Sequence, residues 1–433
     1  MSQSKPQVII IGGGPAGLIA SQRLSSSGKF DVHVYEQKGS VARKFLIAGR
    51  GGLNLTHSEK VKSFLKRYGP AEEFITPFLH NFSPANLQSW AADLGVETFV
   101  GSSGRIFPTE MKATNLMRAW TKRLTKTGVI FHLKHTFIGF DDEKNPQFKN
   151  NEGEIITTPA DAVLFSMGGG SYAHLGATGD WMPLLAEKEI ETQAFSPVNC
   201  GFDVKWSDHM LEKFEGQPIK NIRLSYNEET TRGDLVITKY GVEGGAIYAM
   251  SRALSEGLST DTPITLDVDL RPDMSKDQIR ELLSAPRKKQ SLASILRKKV
   301  HLSPLKIALL WEFTDRSTLQ DAETLSSLIK GLKIPIHAMR PMDRAISTAG
   351  GIKLPMLSEY LMINGHPGWF AAGEMVDWDA PTGGYLLQAC FSMGMTAAKG
   401  IEMWIERDDD EDDHDNDDGD DEENDEEEVY TAI

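Results

Sequence analysis

The sequence predicts an α/β fold: a Rossmann-like nucleotide-binding domain interrupted by an inserted domain of strands followed by helices. Three observations lead there. A continuous apolar run, Val8-Ile9-Ile10-Ile11, of the kind a buried parallel strand shows, passes straight into the glycine-rich Gly12-Gly13-Gly14-Pro15-Ala16-Gly17. After Ser196-Pro197 the texture changes to short strand-like stretches and then to polar helices. Near Trp369-Phe370-Ala371-Ala372 it returns to the first style, an apolar strand followed at once by a glycine.

The elements follow in order. Residues 17–27 carry Leu18, Ala20 and Leu24 at helical spacing, and Gly28 stops the helix. Residues 31–36 form a second strand and complete a βαβ unit. Ser83 followed by Pro84 predicts a helix start, with the helix running to Leu94, and 114–124 predicts another. The stretch 129–140 alternates like sheet, and 162–166 is a short buried strand. Within the insert, 235–238 and 264–270 read as strands and 278–283 and 305–313 as helices. Residues 384–403 predict a final helix. The expected domains are 1–190, the first part of the nucleotide-binding domain; 191–335, the insert; 336–407, the second part; and 408–433, a disordered acidic tail.

At 433 residues the chain is too long for one ordinary core. Its net charge of -15 belongs to the tail: 17 of the 61 acids lie between Asp408 and Glu428, which leaves 44 acids against 46 basic residues in the body. A block of like charges with nothing apolar to bury predicts disorder, and a nearly neutral body argues against a nucleic-acid partner. Only Cys200 and Cys390 occur, far apart, so neither a disulfide framework nor a dithiol centre is expected. No signal-peptide pattern opens the chain and no apolar stretch approaches membrane length, which makes the cytoplasm the expected compartment.

Gly12 to Gly17 matches G-x-G-x-x-G, and its context gives it meaning: a strand before, a helix after, and Glu36 at the end of the second strand, 19 residues beyond Gly17. Gly12 allows the tight turn, Gly14 lets the backbone approach a pyrophosphate, and Gly17 lets helix and strand pack closely. The helix N-terminus, with Pro15 and Ala16, offers free N–H groups to phosphates. Glu36 accepts both ribose hydroxyls, and Gln37 follows it.

The motif alone does not separate NAD from FAD; three further segments favour FAD. A basic, glycine-dense loop contains Arg43, Lys44, Gly51 and Asn54. Ser166-Met167-Gly168-Gly169-Gly170 follows a buried strand. Near the C-terminus, Gly373-Glu374 forms a strand–glycine–acid turn suited to ribityl hydroxyls, and Gly383-Gly384-Tyr385-Leu386 opens a helix whose N–H groups would face a flavin's pyrimidine edge.

With these segments in order, the chain resembles the BaiN-like NAD(P)/FAD-dependent oxidoreductases of bacteria, fold relatives of fumarate reductase and L-aspartate oxidase flavoproteins. The resemblance spans about residues 6–405 and includes Gly104-Arg105-Ile106-Phe107-Pro108 and Thr348-Ala349-Gly350-Gly351-Ile352. It implies bound FAD, an inserted domain covering the flavin, and a backbone N–H of Phe137 at the adenine. Where many members of the broader group carry a cysteine, this chain reads Gly51-Gly52-Leu53-Asn54, which marks a distinct subgroup and removes thiol chemistry at that point.

A flavin performs the electron chemistry, so the protein need only position a small-molecule substrate and supply a proton or cation. A substrate pocket is expected between the flavin's open face and the inserted domain; candidates are Arg105, Lys112, Arg344 and the loop 348–351, and no residue stands out as a general acid. His132 and His135 form H-x-x-H, but on a strand that spacing places them on opposite faces, so no metal is expected. The leading function is reduction or dehydrogenation of a small organic molecule, with an activated C=C bond as target and NAD(P)H as candidate electron donor. The alternatives are a flavoprotein hydroxylase and a flavin-bearing RNA-modifying or RNA-binding protein. Oligomeric state is not legible.

Overall fold

The computed structural model describes residues 4–258, 262–285, 290–315 and 321–414. At its centre lies a five-stranded sheet, every pair of which is parallel. Its order is Trp369–Ala371, Ala162–Phe165, Gln7–Ile11, Asp31–Glu36, Ile130–Leu133. Gln7–Ile11 is flanked on both sides, so its register aligns Ile9 with Val163 on one side and with His33 on the other. Val8 to Ile11 are almost wholly shielded, the reason the run is apolar throughout instead of alternating. The first helix, Pro15–Ser27, packs along the C-terminal helix, Tyr385–His414, and Arg23 pairs with Glu402 at 2.6 Å.

The helix expected from Ser83 spans Pro84–Asp93, with Ser83 and Asn86 forming a reciprocal capping box. The next spans Ala113–Lys126. The stretch 129–140 is not one strand: Ile130–Leu133 ends the parallel sheet, Lys134 turns the chain at φ 60°, and Thr136–Phe140 opens a separate three-stranded antiparallel sheet. The C-terminal helix enters the acidic tail as far as His414, where disorder was expected from Asp408. The rest of the tail lies outside the described residues.

Two cores divide the chain. One gathers apolar side chains from Val8 to Ile190 and from Ile352 to Ile405; the other runs from Cys200 to Ala345. The second core packs on a seven-stranded antiparallel sheet. The insert expected to end at 335 extends further, because Ala338–Met339 pairs with Phe202–Asp203 at that sheet's edge. The two chain crossings between the cores, Thr192–Val198 and Ser347–Ile352, form one antiparallel ribbon.

Candidate functional site

A cleft opens where the central sheet's strands end. Gly12, at φ 108°, forms its floor, because a Cβ there would strike the Ser166 carbonyl. Gly17 does not line the cleft; it closes the helix onto the strand, since a Cβ would collide with the Gly12 carbonyl and the Ser166 hydroxyl. That hydroxyl donates to the Gly12 carbonyl at 2.8 Å and fixes the turn. Gly14 differs: the nearest protein atom to a Cβ there would be 3.9 Å away, so no protein contact demands glycine. The helix begins at Gly14 without a side-chain cap, which leaves its first N–H groups for a ligand.

Glu36 lines the cleft at the end of its strand, accepting from Gly13 N at 3.0 Å and Lys38 N at 2.8 Å. Burial pushes its carboxyl above the usual range, against the pull of those two hydrogen bonds. Four acceptor sites on a carboxylate leave capacity for ligand hydroxyls. Gln37 donates to the Gly176 carbonyl at 2.6 Å and ties the second strand's end to the loop after Gly168. Pro15, Ala16, Arg43, Phe137, Gly168 and Gly373 complete this wall.

The far wall is an ion pair with a buried carboxylate and a half-buried lysine. Lys44 Nζ reaches Glu374 Oε2 at 2.6 Å and the Ser171 hydroxyl at 2.8 Å, while Thr348 N donates to Glu374 Oε1 at 3.1 Å. Cys390 lies behind Gly373, where burial pushes its thiol up to about 12.

Gly51, Asn54, Gly383, Gly384, Tyr385 and Leu386 do not line this cleft. Some of them form a second cluster beyond it. Gly384, at φ 92°, is pressed against the Thr56 backbone. Tyr385 donates to Glu59 at 2.6 Å and stacks on His57 at 5.3 Å between ring centres. The segment expected as a loop opens instead with a helix, Arg43–Ala48, since Arg43 to Ala48 contains no glycine or proline to break it. Three buried polar atoms between residues 43 and 56 have no partner: Arg43 Nε, Asn54 Oδ1 and Thr56 Oγ1. An unsatisfied buried polar atom is costly. Three in one short segment beside an uncapped helix start fit an extended ligand with hydroxyls and phosphates, the chemistry of FAD.

The candidate catalytic cations fare differently. Arg105 is half-buried and its strand pairs with His57, beside the second cluster. Lys112 and Arg344 are exposed, and Arg344 only approaches its neighbour Asp343 at 3.7 Å. Neither enters the cleft, because Lys112 precedes an amphipathic helix with its side chain to solvent and Arg344 sits on a surface turn. His132 and His135 are not on opposite faces: the turn at Lys134 brings their rings to 5.7 Å. His132 also meets His33, with Nδ1 of His33 and Nε2 of His132 at 2.9 Å. Among the described residues no cluster has the geometry for a metal ion. Both cysteines are free and buried, and no helix among the described residues is long and apolar enough to cross a membrane.

Sequence reasoning missed Tyr35, His135 and Trp181 as lining residues, and placed Ser166 and Asp180 only within segments favouring FAD; all five line the cleft. Ser166 carried a signal, standing two residues before the second glycine run. Trp181 carried none, being brought in by the Trp181–Ala186 helix, and it donates to the Gly168 carbonyl at 3.0 Å.

Comparison with known proteins gives the same picture. Residues 6–400 match the family model described as the HI0933-like protein Rossmann domain. The 3-dehydro-bile acid delta(4,6)-reductase of Clostridium scindens is 26% identical over 414 residues, 90% of this chain and 97% of its own. A 3-ketosteroid delta1-dehydrogenase from Sterolibacterium denitrificans, solved with 1,4-androstadiene-3,17-dione, shares the fold with a TM-score of 0.50 at 13% identity, covering 92% of this chain and 99% of its own.

Proposed function

The chain belongs to the HI0933-like Rossmann family, an FAD-binding oxidoreductase fold, and from that premise we propose that it reduces an activated C=C bond of a steroid-like ring compound. The single observation that carries the reading is the end-to-end match to a bile acid reductase, covering 97% of that protein. We assign Gly12, Gly14, Pro15, Ala16, Glu36, Gln37, Arg43, Lys44, Phe137, Gly168, Gly373 and Glu374 to the adenosine, pyrophosphate and ribityl portions of FAD. Gly51, Asn54, Gly383, Gly384, Tyr385 and Leu386 are assigned to its ring end.

When bound, FAD supplies two-electron chemistry that no side chain can. The protein's part is positional: the uncapped helix start holds phosphates, Glu36 takes ribose hydroxyls, and the Lys44–Glu374 pair presents a neutral, hydrogen-bonded wall. NADH or NADPH is the proposed electron source.

The test begins with an absorbance spectrum of the purified protein, then anaerobic addition of NADH or NADPH, then of a 3-oxo-4-ene steroid. Flavin bands that bleach with a nicotinamide and return with the steroid are expected. A colourless protein that cannot be reconstituted with FAD would overturn the cofactor assignment. Bleached bands that the steroid leaves unchanged would overturn the substrate.

A further inference from the structure

A second cavity, of about 640 Å³, lies between the two cores. That falls within the ~300–1,000 Å³ typical of small-molecule sites. The first core contributes Tyr68, Leu354 and Trp378; the insert contributes Arg252 and Ser255; the crossing ribbon contributes Val198 and Ala349. The lining is mostly apolar, with charge concentrated in a few groups. Arg252 pairs with Asp379 and fits there because Gly69, at φ 53°, has no Cβ to obstruct its guanidinium.

This cavity and the dinucleotide cleft share one wall. Gly373 and Glu374 face the cleft, while Asp377, Trp378 and Asp379 face the cavity. The indole of Trp378 donates to the Gly373 carbonyl at 3.0 Å. Gly350 N donates to Asp377 Oδ1 at 3.0 Å, just as Thr348 N, two residues earlier, serves Glu374. On another side, the Tyr68 hydroxyl donates to the Tyr385 carbonyl at 2.9 Å, which sets the cavity against the Gly383–Gly384 helix start. The space therefore adjoins two of the segments assigned to the cofactor and is distinct from the cleft itself.

We propose that this cavity is a binding site for an amphipathic ring compound, its apolar body against Tyr68, Val198, Leu354 and Trp378 and its polar end at the Arg252–Asp379 pair. Asp377 stands on the shared wall. Burial, and then the nearby Asp379, raise its carboxyl above the usual range, against the pull of the hydrogen bond from Gly350 N. A rigid ring body suits such a site because little conformational freedom is lost on entry. That the ring body is a steroid rests on the function proposed above; that the cavity binds ring compounds does not.

The test uses FAD-loaded protein and equilibrium dialysis with 8-anilinonaphthalene-1-sulfonate, an amphipathic ring probe unrelated to steroids. Two variants fill the cavity from opposite walls: Ser255→Phe and Leu354→Trp, both at half-buried positions. One probe per chain is expected to bind the wild type, about tenfold or more weakly in each variant, with FAD content unchanged. Androst-4-ene-3,17-dione should displace it. If filling the cavity abolishes probe binding but the steroid does not compete, the site stands and the steroid assignment falls. Failure of the wild type to bind the probe, or undiminished binding in both variants, would overturn the site.

Discussion

Lys44 and Glu374, 330 residues apart, meet through both carboxylate oxygens, at 2.9 Å to Oε1 and 2.6 Å to Oε2. The carboxylate is 7% exposed and the lysine 27%, so the pair joins the two halves of the interrupted domain with one partner nearly sealed from water. Removing the lysine strands a buried charge. Such losses reach about 3–5 kcal/mol for fully buried pairs, and Lys44's partial exposure puts Lys44→Met toward or below the lower end. In Lys44→Met/Glu374→Gln the stranded charge is gone, and most of the loss should return. Urea unfolding of the FAD-free wild type, Lys44→Met, Glu374→Gln and the double variant completes the cycle. A double variant whose loss equals the sum of the two single losses would mean the pair is not coupled.

The glycines of the first turn separate by role. Gly14→Val adds side-chain atoms where the protein leaves room, so the variant should fold with near-normal thermal stability yet retain no FAD. Gly17→Val drives a side chain into the Gly12 carbonyl and should cost stability whether or not FAD is present, by about 1–3 kcal/mol or more. Thermal unfolding and FAD absorbance of both variants decide the matter; normal flavin content in Gly14→Val contradicts the assignment.

Acid should destabilise the protein through His132. Burial, then the nearby His33 and His135, push its ring down to about 4, whereas the ordinary value is 6.5. Between those values the unfolded chain binds a proton that the folded one refuses, so stability falls as pH drops from about 6.5 to 4. His132→Phe keeps a flat ring on Tyr35, now stacked at 4.2 Å, and should blunt that decline. Urea midpoints measured across the same interval should run flatter in the variant; parallel curves would count against the prediction.

Asp377 predicts the opposite slope. Its folded carboxyl holds a proton to higher pH than the unfolded one, so its favourable contribution is present at low pH and lost as pH rises through the folded value. Asp377→Asn retains an acceptor for Gly350 N and removes the ionisation. The variant should gain stability relative to wild type on going from pH 4 to pH 8, as read from urea midpoints. A pH-independent difference would refute it.

The first turn, Glu36 and the return at Trp369 were legible because each is a local requirement: a turn that admits only glycine, an acid at a strand's end, an apolar run buried on both faces. Gly17 was read in the right structural role, but it does not touch the cleft, since motif membership does not distinguish the glycine that serves a ligand from the one that serves packing. The histidine pair was misjudged because alternation assumes an uninterrupted strand, and a single positive φ at Lys134 redirects the chain. Arg344 and Lys112 were chosen for charge, which says nothing about direction. Of the second cavity only the 348–351 loop, which contributes Ala349, was legible, because its other walls are drawn from positions as distant as Tyr68 and Asp379.

The interrupted topology also orders events on the ribosome. The insert's core closes on itself once Ala345 has been made, whereas the first core still lacks the Trp369–Ala371 strand and the C-terminal helix that lies along the first one. Domains tend to fold as units as they emerge. The segment synthesised first is therefore completed last, when the final helix comes to lie along the first one.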